Sequence, residues 1–567
     1  MWCKNCNLEV SVERCPICGA TTEEDIPAEI FWCDICDLPV ITPLSSDNRN
    51  ICPLCSGKMR HLATDIRPVF PEERLLLAAL LDKPLGFFMN RSVWALNSRY
   101  YIDGKPMNIS AKSFAEADAD SISAKISVTD VEISYTRFDS DVIKFVCVNR
   151  YRLATLKDEA ESFVRRTAKN FSSERVVISF SGGKDSTVVA DIVTRALNNP
   201  SLVHIFGNTT LEFPTTLAYA NRYRENHPFA IFQNAVNDEQ NFFDVCEDIG
   251  PPARMMRWCC SMFKTGPISR VISSLYRNQK ILTFYGIRKS ESVTRSKYNR
   301  VEGDAESIKI RQQTVASPIF FWKDADVWLY ILSEGIDFNF AYRLGYDRVG
   351  CWCCPNNNQR AQFLSRVYMP NESKKWRTFL IDFAKKIGKP DPEVYVDSGK
   401  WKARQGGNGL VSAKDVKLRF TNCTTEEHAK IYQLTRPFDN ELVGLFVPFG
   451  KIASELGRKL LHETLVLDCK TNVPILSIIP FNQGNAVKIK TLNVADHDSL
   501  QRMASYQVKK FNACRKCLKC ESLCRVGAIS VSEKYFIDPL KCAHCKMCVT
   551  AKYLDGGCMM DKFLRTK

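Results

Sequence analysis

Apolar residues between positions 158 and 206 fall into two alternating rhythms. Ala160, Phe163, Val164 and Ala168 recur at helical spacing, Arg175-Val176-Val177-Ile178 is a short β-branched run, and Thr187 to Val193 returns to helical spacing. Leu202-Val203-His204-Ile205-Phe206 is again continuous and apolar, with His204 read as a core residue. Helices alternating with buried strands predict an α/β unit on a parallel sheet, with ligands gathered at the carboxyl ends of the strands.

Elsewhere the rhythm is less regular. Residues 61–150 combine a helical run, Glu72 to Leu81, with strand-like stretches at Ser92 to Leu96 and Val142 to Val148. Tyr100-Tyr101-Ile102 runs into an Asp103-Gly104 turn, so a small β-rich accessory domain is expected, with Cys147 as a core thiol. Lys375 to Ile387 is helical by its Trp376, Phe379, Leu380, Phe383 and Ile387. Lys400-Trp401-Lys402-x-Arg404-x-Gly406-Gly407 reads as a basic, flexible loop that either follows a polyanion or is solvated, and solvation is the expectation. Residues 428–505 read as a further mixed α/β module, with Cys423 and Cys469 isolated and structural.

A chain of 567 residues is too long for one core. Its 45% apolar and 25% charged content is that of a soluble globular protein, no apolar run reaches about 18 residues, and Met1-Trp2-Cys3-Lys4 opens no apolar leader. A cytoplasmic protein with no membrane segment is expected. Of 25 cysteines, sixteen lie in C-x-x-C-type blocks at the two ends, which is metal-ligand spacing. Five four-thiolate sites, each about −2, bring the formal +15 down to about +5, so net charge argues only weakly for a nucleic-acid surface.

Ser179-Phe180-Ser181-Gly182-Gly183-Lys184-Asp185-Ser186-Thr187 joins a strand to a helix. Glycines let backbone N–H groups approach phosphate oxygens, the helix N-terminus adds donors, Lys184 adds a charge, and Ser186 or Thr187 can cap the helix. The spacing is not that of a Walker A loop. It resembles the PP-loop of the ATP pyrophosphatases, which split ATP into AMP and pyrophosphate while adenylating a substrate. That resemblance implies a nucleotide held by Ser181, Gly182, Gly183, Lys184, Asp185, Ser186 and Thr187.

Further stretches follow in a fixed order: Asn208 to Pro214, Arg257-Trp258-Cys259-Cys260, Tyr285-Gly286-Ile287-Arg288-Lys289-Ser290-Glu291-x-x-x-Arg295, Pro318 to Trp328, and Gly350-Cys351-Trp352-Cys353-Cys354-Pro355. Over residues 155–365 this order resembles the phosphoadenosine-phosphosulfate reductase superfamily, although its D-T-G-x-E-F-P motif has Asn208 and Thr210 here. In its iron-sulfur members a Cys-Cys pair and a later C-x-x-C hold one [4Fe–4S] cluster. By position this implies Cys259, Cys260, Cys351 and Cys354, with structural zinc as the alternative. Cys353 is then a packed thiol, an alternative ligand or a sulfur carrier. Arg288, Glu291 and Arg295 follow a strand, where cations meet phosphate or sulfate, although Glu291 and Arg295 also have the spacing of a surface ion pair. Two departures stand out: the phosphate loop is intact, and no C-terminal Glu-Cys-Gly-Leu-His nucleophile is present.

At the N-terminus Cys3, Cys6, Cys15 and Cys18, then Cys33, Cys36, Cys52 and Cys55, form paired knuckles that suit structural zinc, with rubredoxin-like iron as the competitor. At the C-terminus Cys514-x2-Cys517-x2-Cys520-x3-Cys524 and Cys542-x2-Cys545-x2-Cys548 with Cys558 resemble the bacterial two-cluster ferredoxin. That resemblance implies one [4Fe–4S] cluster on Cys514, Cys517, Cys520 and Cys558 and another on Cys542, Cys545, Cys548 and Cys524. A zinc module is the alternative, and the nine-residue gap before Cys558 departs from the pattern.

The expected organisation is multidomain. It comprises two zinc ribbons (1–60), a β-rich accessory domain (61–150), a PP-loop α/β domain of the adenine nucleotide alpha hydrolase type (151–365), a mixed region (366–505) and a two-cluster α+β ferredoxin domain (506–567). The expected activity is ATP-dependent sulfur transfer, with Lys184 and Arg288 neutralising phosphates and Asp185 or Glu291 holding Mg²⁺. The acceptor would be a tRNA base, DNA or a small molecule. The alternatives are a sulfonucleotide reductase fed by the ferredoxin domain, or a redox-sensing nucleic-acid-binding module.

Overall fold

Strand β1 (Val176–Phe180) sends alternate side chains into two different cores. Val176, Ile178 and Phe180 belong to a core with Ala160, Phe163, Val188 and Trp328, whereas Val177 belongs to another with Ile205, Ile268 and Ile272. A strand buried on both faces requires helices on both sides of its sheet. The computed structural model describes residues 14–20, 27–44, 49–127, 133–277, 279–303, 310, 312–413, 416–554 and 556–566, with the backbone of 2–3 and 8–9, and it places β1 inside a six-stranded sheet. Along the chain follow α1 (Lys184–Leu197), β2 (Val203–Gly207), α2 (Pro214–Asn226), β3 (Ile231–Ala235), β4 (Ile281–Phe284), β5 (Val301–Glu302) and β6 (Gln313–Ala316).

The spatial order is β3-β2-β1-β4-β6-β5, and every pair is parallel except β5 with β6. Two strands are added on one side of β1 before the chain returns to lay β4 on the other. The carboxyl ends of β1 and β4 therefore flank the crevice where such sheets take ligands. The expected parallel α/β unit is present.

His204 lies within β2, nine-tenths or more out of solvent, with Nδ1 2.9 Å from the Leu202 carbonyl and Nε2 3.2 Å from the Tyr223 hydroxyl. Burial pushes its imidazole down from 6.5 to about 4. An unfolded chain therefore binds a proton there that the folded chain refuses. The contribution is complete above pH 6.5 and is lost as pH falls from 6.5 to 4, by about 3 kcal/mol. His204→Gln is expected to flatten that limb of the stability curve, measured by denaturant titration across the range. An unchanged slope would assign the limb to other groups.

Residues 61–150 hold more helix than their β-branched runs suggest. A four-stranded antiparallel sheet (Arg67–Pro68, Val93–Leu96, Arg99–Ile102, Lys105–Asn108) is joined by the expected Asp103-Gly104 turn, both residues at positive φ. The expected strand at Val142 to Val148 is instead the end of a helix, Thr136–Val148. Phe138, Phe145 and Val148 recur at helical spacing and are buried, which leaves Cys147 exposed rather than in the core. Around this unit lies a buried ion network. Arg67 pairs with Glu73 at 2.6 Å, and Arg360 contacts Glu73 and Asp347 at 2.6 Å each, so the accessory unit is tied to the segment that follows Cys354.

The second ribbon, strands Ala28–Cys33, Leu38–Pro43 and Arg60–Ala63, is not independent: Ile30, Trp32 and Ile41 enter the same core as β1. The stretch 400–407 is not a solvated loop. Trp401 is 3% exposed and Arg404 9%, because the Arg404 guanidinium donates to the carbonyls of Ile249, Pro251 and Gly406, closing the C-terminus of helix Phe242–Ile249. A six-stranded antiparallel sheet follows, and its core is shared with helix His497–Ala513 and hairpin Ile529–Val531/Tyr535–Ile537. The divisions expected at 365/366 and 505/506 both fall within helices, Gln359–Tyr368 and His497–Ala513. Among the described residues no helix is long and apolar enough to cross a membrane.

Candidate active site and cysteine centres

The loop after β1 is shaped by Gly182 at φ 68°, where a Cβ would also come within 2.8 Å of Thr216 Cγ2. Ser186 Oγ accepts from Ser181 N at 3.1 Å and donates to the Gly183 carbonyl at 2.8 Å, and Thr187 Oγ1 donates to the same carbonyl at 3.2 Å. Both hydroxyls thus brace the loop. Lys184, 3% exposed, stands over the Tyr342 ring, with Nζ 3.0 Å from Asp324 and 3.3 Å from Asp185. Arg288, leaving β4, pairs with Asp185 and lies 2.8 Å from Asp324.

Two cations and two carboxylates therefore alternate in one buried cluster. Burial opposes the charge on Asp185, but Arg288 and Lys184 outweigh it and hold the carboxyl at about 2. Burial likewise opposes the Lys184 ammonium, and Asp185 and Asp324 keep it protonated above its ordinary value. Asp65 accepts from the backbone N–H of Asp324 at 2.9 Å and Ala325 at 3.0 Å, capping helix Asp324–Glu334. Burial, then the Asp324 charge, pushes it up to about 6. Glu291 pairs with Arg295 and accepts from Arg288 N at 3.4 Å. Arg295 is itself pushed down by burial and by Arg348.

Gly286 is the point of closest approach between β4's exit and α1. A Cβ there would lie 2.6 Å from the Asp185 carbonyl carbon and 2.7 Å from Ser186 N, both backbone atoms. Overpacking against such atoms costs about 1–3 kcal/mol. Gly286→Ala is accordingly expected to weaken nucleotide binding by about tenfold or more, measured by calorimetry. Native affinity in the variant would show that the loop is free to move aside.

The segment after β2 reaches from this crevice to the cysteines. Glu212 and Cys351 form an antiparallel bridge, Trp352 N donates to Leu211 O at 3.0 Å, and Thr209 Oγ1 lies 3.4 Å from Cys351 Sγ. Cys259 and Cys260 sit at the start of a helical segment (Trp258–Cys260) that continues through a wide turn into helix Gly266–Tyr276. The fold puts these thiols within electrostatic reach of one another: Cys259 interacts with Cys260, Cys351 and Cys353, and Cys354 with Cys260, Cys351 and Cys353. Burial pushes Cys351 up to about 12. A cavity of about 190 Å³ opens beside Cys351 and Cys354, with Arg348 on its wall. Lys402 donates to the Asn357 carbonyl at 2.7 Å and is lowered to about 8, by burial first and Arg254 next. Cys353 is buried in an apolar core with Met262, Phe263 and Trp376.

At the C-terminus the thiols form two groups. Cys517 interacts with Cys558, Cys520 and Cys514, whereas Cys542 interacts with Cys524 and Cys545, and Cys548 with Cys524 and Cys542 and also, between the groups, with Cys520. Cys469 is not isolated, since it too lies near Cys542. The first group adjoins the central thiols: Cys517 and Cys558 share an apolar core with Cys353 and Met262, and Arg270 pairs with Glu521 at 3.0 Å across the junction. Burial pushes Cys548 and Cys558 up to about 12 each. Thiols raised by burial and by one another are the donors that a cationic metal group would deprotonate.

Among the described residues, only Cys33, Cys36, Cys52 and Cys55 bring their sulfurs within 4.8 Å of one another. Their separations include 3.4 and 3.9 Å, against about 3.8 Å for a tetrahedron of Zn–S bonds. Of the first knuckle pair, Cys15 is buried and Cys18 exposed, while Cys6 and the side chain of Cys3 lie outside the described residues.

Sequence reasoning missed Asp65, Asp324 and Tyr342, and it read Lys402 as part of a solvated loop. Asp324 carried a faint signal, an acidic residue at a helix start beside Trp322, whereas Asp65 had none, being 259 residues from its bonding partner.

Residues 175–357 match the phosphoadenosine phosphosulfate reductase domain family. Two uncharacterized proteins of Methanocaldococcus jannaschii are similar, one 31% identical over 245 residues and the other 29% identical over 259, which is 43% and 45% of this chain. The chain spans about half the length of these relatives, 48% of one and 59% of the other. An adenosine 5'-phosphosulfate reductase of Neisseria meningitidis is 37% identical over 98 residues, 17% of this chain and 36% of that enzyme. The solved phosphoadenylyl-sulfate reductase of Candida auris, a phosphate complex, aligns with a TM-score of 0.28 at 17% identity, covering 36% of this chain and 95% of that one.

Proposed function

We propose that this chain is a PP-loop enzyme of sulfur metabolism that cleaves ATP to AMP and pyrophosphate and couples the cleavage to cysteine-held iron. One observation supports it above the rest. Lys184 and Arg288 stand at the carboxyl ends of β1 and β4, and the segment leaving the adjacent β2 is bonded to Cys351. In this reading activation and sulfur chemistry share one crevice.

In this reading the Ser181–Gly183 backbone and the start of α1 cradle phosphate, while Lys184 and Arg288 turn from their carboxylates to the phosphate oxygens. The buried cluster holds about as much negative charge as positive, so a polyphosphate enters only with a divalent cation. Asp185 and Asp324, now paired with Lys184, would hold Mg²⁺. A substrate oxygen attacks the α-phosphorus, pyrophosphate departs, and a sulfur nucleophile then displaces AMP from the adenylated substrate. Cys259, Cys260, Cys351 and Cys354 would hold the central [4Fe–4S] group. Cys514, Cys517, Cys520 and Cys558 would hold an inner cluster, and Cys524, Cys542, Cys545 and Cys548 an outer one, which when bound supply electrons. Zinc would occupy the ribbons. The exposed Arg254, Arg257 and Arg348 around Cys354 suit an anionic acceptor, such as a tRNA or DNA strand.

A second reading is favoured by the reductase-family match and the similar adenosine 5'-phosphosulfate reductases. The same crevice would then bind a sulfonucleotide, and reducing equivalents from the C-terminal clusters would release sulfite. Anaerobically reconstituted protein separates the two. Pyrophosphate release from ATP with Mg²⁺ supports the first, and sulfite from a sulfonucleotide with reduced viologen, without pyrophosphate release from ATP, establishes the second.

A further inference from the structure

Lys510 lies one helical turn before Cys514 on helix His497–Ala513 and is 1% exposed. Its ammonium donates to the Cys548 carbonyl and stands 5.4 Å from the centre of the Tyr535 ring. Among the described residues no carboxylate is paired with it, in contrast to Lys184. What surrounds it is sulfur: Cys514, Cys520 and Cys558 of the inner quartet and Cys548 of the outer one all act on its charge. A buried cation without a counter-ion costs several kcal/mol. Thiolates bound to iron would provide that counter-charge from both sides at once.

We propose that Lys510 sets the reduction potentials of the two C-terminal clusters and couples them. This rests on each quartet holding a [4Fe–4S] group. One-electron reduction takes such a thiolate-ligated group from about −2 to −3. A fixed ammonium stabilises the more negative state, so both potentials are raised. Because the ammonium contacts the outer quartet's backbone and leaves the helix one turn before Cys514 of the inner quartet, it acts on the two sites together. It also lessens the repulsion between two reduced clusters, allowing both to be reduced in one molecule. Such a pair can deliver two electrons toward the central thiols in succession, as sulfur reduction requires.

The test is an EPR-monitored titration of the full reconstituted chain with dithionite and viologen mediators, comparing the native protein, Lys510→Met and Lys510→Arg. Both midpoint potentials are expected to fall in Lys510→Met, to separate further from each other, and to stay near the native values in Lys510→Arg. Lys510→Gln, which keeps a donor for the Cys548 carbonyl, takes the place of Met where Met loses a cluster. Two clusters with unmoved potentials in the uncharged variants would overturn the proposal alone. Absence of both cluster signals from the native protein would overturn the cluster reading and this inference with it.

Discussion

Replacing Lys184 by methionine is expected to slow the proposed pyrophosphate release from ATP by about 10²–10³-fold, the usual cost of deleting one preorganised charge at a reacting phosphate. The residue has no neighbour able to take over. In the proposed reading Arg288 turns to the phosphate oxygens on its own account, and Tyr342 offers only its ring and hydroxyl. Methionine keeps most of the buried volume, so the loop is expected to retain its shape while two carboxylates face Arg288 alone. The iron chromophore should be unaffected, because the cysteines are braced by Thr209, Leu211 and Glu212 and not by the loop. Stopped-time pyrophosphate assays with and without Mg²⁺ measure the effect. Native rates in Lys184→Met would move ATP cleavage away from this loop, and sulfite formation surviving the substitution would favour the reductase reading.

How much of this site the sequence disclosed depends on whether each feature is local. The Ser181–Thr187 loop is legible because a β-branched run, two glycines and a helical repeat follow one another within a few residues. The C-x-x-C pairs are legible for the same reason. Asp65 is not, because its role is created by packing the ribbon's end against helix Asp324–Glu334. The stretch 400–407 misleads because basic residues beside two glycines look solvated. Only the fold reveals that Arg404 finds three backbone carbonyls, and Lys402 one, inside the protein. At Thr136–Val148 a run of β-branched residues at the C-terminal end suggests a strand, and burial of Phe138, Phe145 and Val148 on one helical face decides otherwise. Long-range burial overrode local propensity there. Lys510 is the same case in reverse: nothing in Lys509-Lys510 separates a surface lysine from a buried one, and only the surrounding thiols do.

The second large effect concerns iron. Anaerobically reconstituted native protein is expected to bind about twelve iron atoms, four for each of three clusters, and Cys351→Ser about eight. The loss should be confined to the central site. Cys351 links the two halves of that quartet together with Cys354: it is bridged to Glu212 and interacts with Cys259 and Cys354, while Cys354 interacts with Cys260. The C-terminal quartets draw their thiols from 514–558 alone, so their EPR signals should persist at native potentials. Cys353→Ala supplies the contrast, since Cys353 is packed among Met262, Phe263 and Trp376. Its loss should leave the iron count unchanged and cost stability in proportion to a small cavity. Pyrophosphate release should survive both substitutions within a few-fold, whereas sulfur transfer or sulfite formation should vanish only in Cys351→Ser. If Cys353→Ala lost the iron and Cys351→Ser kept it, the ligand set would have to be redrawn around Cys353. About eight iron atoms in the native protein would instead leave the central thiols to zinc, and the crevice would then activate its substrate without a redox partner beside it.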